Sequence, residues 1–224
     1  MHKKIMIPKI IHYCWFGGKP LPEDVKKYIA TWRKQCPDYE IKEWNESNFD
    51  VNALKFTKQA YKLKKFAFVS DVARITALVK EGGIYMDTDV ELIKPLDKFL
   101  NCHNFIGLET EFKVSTAVIG AERGSELLAN FLNTYNDKNF VRSTGRLNST
   151  PNTILLTDYL NSIYPRYKSY LDIYGTDVLC AKNVNDGSSM QSDNTVAIHH
   201  LAYTWKSNRL TLSQRLKNIL SVVL

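Results

Sequence analysis

The sequence predicts an α/β protein built on a largely parallel central sheet that is flanked by helices. Strand-like and helix-like segments alternate through the first third of the 224 residues and mix afterwards, which is typical of a layered α/β sandwich. Apolar residues make up 44% of the chain, enough for one large core, and no linker-like stretch divides it. We therefore predict one domain over residues 1–207 and an appended amphipathic helix over residues 208–224.

Strands are predicted where short apolar or alternating runs are bounded by turn residues. The first run is rich in Ile and aromatic residues and ends at Gly17-Gly18, and a short apolar run with the length of a buried strand follows Gly82-Gly83. The predicted strands cover residues 9–15, 39–44, 84–86, 90–93, 104–108, 114–121, 176–181 and 195–201.

Helices are predicted where apolar residues recur at helical spacing. In the first of them Glu23 and Asp24 occupy the first turn, where the helix dipole favours acids. Gly82-Gly83 provides the stop signal after the third helix. The predicted helices cover residues 22–36, 51–65, 66–80, 125–135 and 152–163.

The chain is basic, because 30 Lys and Arg against 23 Asp and Glu give a formal net charge of +7. Such a balance favours anionic partners, among them a nucleotide diphosphate, nucleic acid or an anionic membrane. Nucleic-acid binding requires basic and aromatic residues interleaved on one surface, and no such stripe is evident, so no nucleic-acid partner is expected. A cluster of lysines is interpreted as a solvated helix face: Lys55, Lys58, Lys62, Lys64 and Lys65.

The four cysteines lie far apart and form no Cys-x-x-Cys pair, so we expect free thiols and no structural zinc. Pro8 and Lys9 interrupt the apolar part of the N-terminal segment, which argues against a secretion signal. No apolar run approaches the roughly 20 residues that span a bilayer. These features predict a cytoplasmic protein and leave open a peripheral position on the inner face of the cell membrane.

The strongest local feature is the segment 82–89, which reads GGIYMDTD. Asp87 and Asp89 come directly after a short buried strand, and ligands of open α/β sheets gather outside the carboxyl ends of strands. Two carboxylates separated by one residue both reach a hard cation such as Mg²⁺ or Mn²⁺ if the chain turns there, and such a cation bridges to substrate phosphates. The alternative is a polar turn between two strands, which the Asp-x-Asp tripeptide alone favours.

The helix before this strand carries two charges on an apolar background. Residues 66–75 read FAFVSDVARI and are apolar nearly all round, which indicates a buried helix. Asp71 and Arg74 are three residues apart and share a face. Because burying both charges is costly unless they pair or meet a ligand, they form either a structural ion pair or the lining of a polar pocket.

Four aromatic or histidine side chains are weaker candidates. Trp15 ends the first predicted strand and is either a core residue or a flat platform for a base. His199 and His200 end the last predicted strand on opposite faces, so that one is expected to be structural and the other is a candidate metal ligand. Trp205 follows in a polar stretch, where its indole N–H is placed to meet an oxygen.

Three segments together resemble known enzymes: PKIIHYCWFGG, VSDVARITALVKEGGIYMDTDVEL and IHHLAYTW. They are similar to the family 32 glycosyltransferases with an Asp-x-Asp sugar-binding region, which include bacterial capsular-polysaccharide transferases. They are more distantly similar to the catalytic domain of the large clostridial glucosylating toxins. The resemblance implies a GT-A type nucleotide-sugar transferase fold, Mn²⁺ or Mg²⁺ at the diphosphate of a UDP-sugar (or GDP-sugar) donor, and transfer with retention of configuration.

The resemblance also implies a role for individual residues by their position. The catalytic group comprises Asp71, Arg74, Asp87 and Asp89. The nucleotide and the donor sugar are expected at Cys14, Trp15, Ser70, Tyr85 and Trp205. The expected metal ligands are Asp87, Asp89 and His200, with the choice between His199 and His200 left open. No nucleophile is evident on the far face of the sugar, so attack from the front face by the acceptor is expected.

Two departures from the family pattern bear on the donor sugar. Relatives commonly read Asn-Thr-Gly where this chain has Ser115-Thr116-Ala117, and often have Gly before the proline where it has Thr150-Pro151. Both segments usually approach the donor sugar in the relatives, so the identity of the sugar is the property that is least safely inferred from the resemblance. The function expected is hexosyl transfer to a saccharide or lipid-linked oligosaccharide acceptor in surface polysaccharide synthesis. The alternatives are a protein-glycosylating transferase and a non-catalytic nucleotide-sugar-binding module.

The last 17 residues show an amphipathic helical pattern that is separate from the predicted domain. Apolar residues recur at helical spacing from Leu212 to Val223, with basic residues beside them and no acid. Two interpretations stay open: a terminal helix packed on the core, and an interfacial helix on an anionic membrane.

Overall fold

The computed structural model describes residues 6–202 together with Ser213, Lys217 and Leu220. The strands are β1 (Ile10–Cys14), β2 (Glu40–Trp44), β3 (Gly83–Met86), β4 (Val90–Leu92), β5 (Asn104–Thr110), β6 (Lys113–Ala121), β7 (Asp172–Tyr174) and β8 (Ala197–His199). The helices are α1 (Glu23–Gln35), α2 (Lys55–Lys62), α3 (Phe66–Glu81), α4 (Glu126–Asn133), α5 (Asn152–Ser162) and α6 (Thr176–Leu179).

Six strands form the central sheet in the order β2-β1-β3-β6-β5-β7. β1 is parallel to both β2 and β3, and β5 is parallel to β7, whereas β6 is antiparallel to its neighbours β3 and β5. Five of the six strands therefore run in one direction, which confirms the largely parallel sheet. β4 and β8 form a separate antiparallel pair, in which Val90 lies opposite His199.

Both faces of the sheet are covered, so its central strands are apolar on both sides. On β3, Tyr85 belongs to the core shared with α2, α3, α4 and α5, whereas Ile84 and Met86 belong to the core shared with α1 and α6. All four residues of β3 are buried. This is the arrangement expected for a parallel strand between two helical layers.

The junction between α3 and β3 is tightly packed. Gly83 has φ +102°, and a Cβ added there would lie 2.6 Å from the carbonyl oxygen of Ile10. The buried His12 accepts a hydrogen bond at Nδ1 from Trp44 Nε1 (3.0 Å), so its Nε2–H donates to the Gly82 carbonyl (2.7 Å). These contacts fix the start of β3, the strand that directly precedes Asp87.

One of the predicted elements was wrong and another was too long. Residues 176–181 were predicted as a strand because of their apolar run, but Thr176–Leu179 is a helix. Leu179 packs so closely on β5 that a Cβ at Gly107 would lie 2.9 Å from it, so tertiary packing decides this segment. The second helix forms but is shorter than residues 51–65, because residues 51–54 form turns and bends before it and Lys64, with φ 55°, interrupts the chain before α3.

Three further predictions concern the cysteines, the membrane and the tail. None of the four cysteines, all of which lie within the described residues, forms a disulfide with another. No helix among the described residues has the length and apolarity to cross a membrane. Within residues 208–224 the structure describes only Ser213, Lys217 and Leu220, which are helical and exposed, so the amphipathic tail helix stays a prediction.

Candidate active site

The Asp-x-Asp segment forms the turn between β3 and β4 at the carboxyl edge of the sheet. The Asp87 amide donates to the Ala117 carbonyl on β6 (2.8 Å), and the Val90 amide donates to the Asp87 carbonyl (3.0 Å). The turn is therefore anchored on both sides. Asp87 and Asp89 are both half-buried, so their carboxylates are partly withdrawn from water yet open to a ligand.

Three side chains around this turn form a potential cation site. Asp87, Asp89 and His199 each offer a ligand atom, and these atoms lie within 4.8 Å of one another. His199 Nε2 is 3.3 Å from Asp89 Oδ1, and the Ala202 amide donates to Asp89 Oδ2 (2.8 Å). Carboxylate and imidazole ligands suit Mn²⁺ and related divalent cations.

The electrostatics of this cluster follow from burial and pairing. Burial lowers the pKa of His199, but the neighbouring Asp89 outweighs it and raises the pKa to about 10. Burial raises the pKa of Asp89, and the hydrogen bond with His199 reverses that shift, so the net pKa lies below the usual value. Without a cation the two side chains thus form an ion pair.

His199, and not His200, lies with Asp87 and Asp89, so this geometry favours His199 in the choice that the sequence left open, and the metal role of either histidine stays a prediction. The His200 ring stacks on Tyr28 (centroids 4.7 Å apart, 23° between planes), and its Nε2 contacts Glu91 Oε2 at 2.9 Å. β8 ends at His199, which lies opposite Val90 of β4, and the two rings have different carboxylate partners: Asp89 for His199 and Glu91 for His200.

Arg74 connects the helix to the Asp-x-Asp turn. Its guanidinium lies 3.1 Å from Asp71 Oδ1 and 3.2 Å from Asp87 Oδ1, and it donates to the Thr116 carbonyl (2.7 Å). The Arg74 side chain is only 7% exposed. The ion pair between Asp71 and Arg74 is therefore present and contacts the Asp-x-Asp turn, whereas the lining of a ligand pocket by these two side chains stays a prediction.

Tyr85 completes this network. Its hydroxyl donates to Asp87 Oδ1 (2.9 Å), and the Arg74 guanidinium lies over its ring at 4.6 Å. Burial raises the pKa of both Asp71 and Asp87, and Arg74 opposes that shift. Burial outweighs the guanidinium for both groups, so the pKa of Asp71 is raised to about 7 and that of Asp87 lies above its usual value.

The expected base-binding residues flank the carboxyl end of β1. Cys14 is buried and its thiol pKa is raised to about 12 by burial, so it is an inert neighbour of the site. Trp15 is half-buried, with its indole N–H donating to the Lys19 carbonyl (2.6 Å). Ser70 accepts at its carbonyl from Arg74 Nε (3.3 Å). Trp205 lies outside the described residues.

Asn152 was not predicted as part of the site, and Thr116 was named only as a member of a segment that approaches the donor sugar. Asn152, at the start of α5, donates from Nδ2 to the Asp71 carbonyl (3.2 Å) and accepts from the Tyr135 hydroxyl (3.0 Å). The side chain of Thr116 lies 3.5 Å from that of Thr153. Thr116 belongs to one of the two segments in which the sequence departs from the family pattern, and Asn152 directly follows the other. These departures were the sequence feature that could have pointed to both residues.

The fold is an α/β fold of the GT-A type with a mainly parallel central sheet. The structure is similar to the PaToxG glycosyltransferase, with a TM-score of 0.56 and 18% identity over 73% of this chain and 72% of that one. It is also similar to a glycosyltransferase involved in the glycosylation of the major capsid of PBCV-1, with a TM-score of 0.50 and 12% identity over 96% and 99% of the two chains.

Residues 22–111 match the profile of the family described as "Glycosyltransferase sugar-binding region containing DXD motif". This part of the chain, less than half of its length, is similar to that family. The matched region includes Asp71, Arg74, Asp87 and Asp89, the residues that meet at the carboxyl edge of β3.

Among curated proteins the chain is 30% identical to inositol phosphoceramide mannosyltransferase 1 of Schizosaccharomyces pombe, over 47% of this chain and 35% of that protein. It is 41% identical to lactosylceramide 4-alpha-galactosyltransferase of Mus musculus, over 27% of this chain and 16% of that protein. The chain thus spans about a third or less of the length of these relatives.

Proposed function

We propose that the protein is a metal-dependent, retaining glycosyltransferase that moves a hexosyl group from a nucleotide-diphosphate sugar to a saccharide acceptor. The observation that carries the proposal is the convergence of Asp87, Asp89 and His199 within 4.8 Å at the carboxyl edge of the sheet, next to the buried Arg74. A binding module that needs no chemistry has no use for this costly arrangement of charges.

The residues present fit a divalent cation. Two carboxylates and one imidazole offer ligand atoms close together, and the Nδ1 of His199 is buried without a hydrogen-bond partner among the described residues. Asp87, Asp89 and His199 would hold the ion. When bound, Mn²⁺ or Mg²⁺ neutralises the charge that develops on a departing diphosphate.

The chain's own residues account for much of the remaining work. Arg74 and Tyr85 hold the Asp87 carboxylate in one orientation through the contacts described above, and the Ala202 amide does the same for Asp89. Asp71, on the other side of Arg74, is placed to accept hydrogen bonds from donor hydroxyls. Fixed groups of this kind stabilise a transition state without having to reorganise during the reaction.

The proposals for the donor and the acceptor rest on Trp15 and on the names of two relatives. We favour a UDP-sugar whose base stacks on Trp15, with attack from the front face of the sugar. The names of two relatives describe transfer of mannose or galactose to glycolipids, which supports a saccharide acceptor, including a lipid-linked one. Surface polysaccharide synthesis, with the 208–224 helix at an anionic membrane, is the setting that we propose.

Donor hydrolysis tests this function without knowledge of the acceptor. The protein is incubated with Mn²⁺ and a panel of UDP- and GDP-sugars, and release of the nucleotide is measured. We expect slow hydrolysis of one or two donors, abolished by a chelator and restored by added Mn²⁺. Hydrolysis of none, or hydrolysis that survives the chelator, would contradict the proposal.

A further inference from the structure

Glu109 occupies a β-bulge at the carboxyl end of β5. Leu108 pairs with Val114 and Thr110 pairs with Lys113, so Glu109 is the extra residue, with no partner on β6. A bulge bends its strand and re-aims the side chain of the extra residue, and bulges are over-represented next to active sites.

The bulge stands at the same edge of the sheet as the Asp-x-Asp turn. β3 and β5 flank β6, and neighbouring strands are about 4.8 Å apart, so β3 and β5 are separated by about 10 Å across the sheet. Glu109 also lies further along β6 than Asp87, since it falls between the partners of Val114 and Lys113 whereas Asp87 meets Ala117. Between them lies the segment Ser115-Thr116-Ala117 of β6, whose Thr116 and Ala117 carbonyls accept from Arg74 and from the Asp87 amide. Glu109 thus borders the site on the side opposite to Asp87.

The surroundings of Glu109 do not satisfy its carboxylate. It is half-buried and interacts electrostatically with Lys113 and His199, yet no described residue gives it a hydrogen bond or an ion pair within 4.0 Å. Burial raises the pKa of Glu109, and the two neighbouring cationic side chains oppose that shift. The Glu109 oxygens are not among the fully buried polar atoms that lack a partner, so the carboxylate is open to water or to a ligand hydroxyl.

We propose that Glu109 is a further catalytic residue, whose carboxylate accepts a hydrogen bond from the hydroxyl that attacks the donor sugar. This inference rests on the proposed function. In the step that it serves, the bond between the sugar C1 and the phosphate oxygen breaks and its electron pair leaves on the diphosphate. A bond forms between C1 and the attacking oxygen, and the proton of the hydroxyl passes to the departing phosphate oxygen. Glu109 orients the hydroxyl and is unchanged at the end.

The position of Glu109 favours the acceptor over the donor as its ligand. The nucleotide side of the site is formed by β1, α3 and the Asp-x-Asp turn, and all of these lie beyond β6 from Glu109. A hydroxyl held at Glu109 would approach from the β5 side, across the β6 segment. Positioning of this kind raises the rate of attack without contributing to nucleotide binding.

The test compares Glu109→Gln with Glu111→Gln, a matched change at the exposed turn of the same hairpin. The probe is the sugar nucleotide that the wild-type chain hydrolyses fastest with Mn²⁺, with water as the attacking hydroxyl. We expect kcat of Glu109→Gln to fall by about 10- to 100-fold, the range for losing a hydrogen bond to a charged group. KM for the donor and Kd for UDP with Mn²⁺ should stay within about twofold, which marks an interaction made in the transition state.

Each other outcome decides against the inference. If Glu109→Gln and Glu111→Gln hydrolyse the donor equally fast, Glu109 has no catalytic role. If Glu109→Gln loses UDP binding together with kcat, the residue serves the nucleotide or the cation instead. If Glu109→Gln does not fold, Glu109→Asp replaces it, and the same loss of kcat is expected because the oxygens are withdrawn by one methylene. Failure of the wild-type chain to hydrolyse any donor refutes the proposed function itself, and this inference with it.

Discussion

The Arg74 guanidinium lies between two carboxylates, 3.1 Å from Asp71 on its own helix and 3.2 Å from Asp87 at the end of β3. One buried cation therefore couples the helix that precedes the Asp-x-Asp strand to the turn that follows it. Arg74 also donates to the Thr116 carbonyl, so the planar fork is used in three directions.

Replacement of Arg74 by Lys tests whether this geometry serves activity. A lysine keeps the charge but loses the planar fork, so we expect donor hydrolysis to fall by about 100-fold. The melting temperature and turnover should be measured on one preparation. If residual activity only tracks the folded fraction, the network is structural. Arg74→Ala, which leaves the buried Asp71 without its cation and Asp87 with Tyr85 alone, should cost about 3 kcal/mol of stability in either case.

His199 and His200 are expected to respond differently to mutation. His199→Ala removes a side chain that lies with Asp87 and Asp89, so the affinity for Mn²⁺ in the presence of UDP should fall by about 10-fold or more. His200→Ala removes contacts with Tyr28 and Glu91 and should lower metal affinity less. Calorimetric titration with Mn²⁺ measures both. A larger loss of Mn²⁺ affinity for His200→Ala than for His199→Ala would support His200 as the metal ligand instead.

The packing at the start of β3 predicts an unusually sensitive glycine. Gly83→Ala places a Cβ 2.6 Å from the Ile10 carbonyl at a positive φ, whereas Gly124→Ala has a positive φ but nothing within 4 Å. The control should lose about 1–2 kcal/mol of unfolding free energy from backbone strain alone, and Gly83→Ala should lose clearly more. Chemical denaturation measures both losses. Equal losses would show that the start of β3 shifts to accommodate the added Cβ without a further loss of unfolding free energy.

His12 predicts a stability that declines in acid. Burial lowers the pKa of His12, although the hydrogen bond to the Gly82 carbonyl opposes this shift, so the folded state favours the neutral ring. Its contribution is complete above the unfolded pKa of about 6.5 and is lost as the pH falls below it. The difference in unfolding free energy between wild type and His12→Asn should therefore be larger at pH 7.5 than at pH 5. A difference that grows in acid would mean that the folded state prefers the charged ring.

Much of the site was predictable because it is local in sequence. The strand and helix periodicities gave β1, β2, β3 and α3 to within one or two residues, and the position of Asp87 and Asp89 at the end of a buried strand followed from these. The shared face of Asp71 and Arg74 likewise follows from helical spacing.

The long-range features were not predictable in the same way. Alternation separates the rings of His199 and His200 but does not say which one faces the carboxylates, because that depends on the register of β8 against β4. The bulge at Glu109 depends on how β5 pairs with β6, and the helix at residues 176–179 depends on packing against Gly107. Single-sequence periodicity contains none of this information.

The central claim is that Asp87, Asp89 and His199 hold a divalent cation at the diphosphate of a nucleotide sugar. The most direct measurement is the Kd of UDP with Mn²⁺ and with a chelator, for the wild-type chain and for Asp89→Asn. The account predicts that wild type binds UDP at least 10-fold more tightly with Mn²⁺ than with the chelator, about 1.4 kcal/mol, and that Asp89→Asn loses this difference. Equal binding of UDP by the wild-type chain under the two conditions, or an undiminished Mn²⁺ effect in Asp89→Asn, would contradict it.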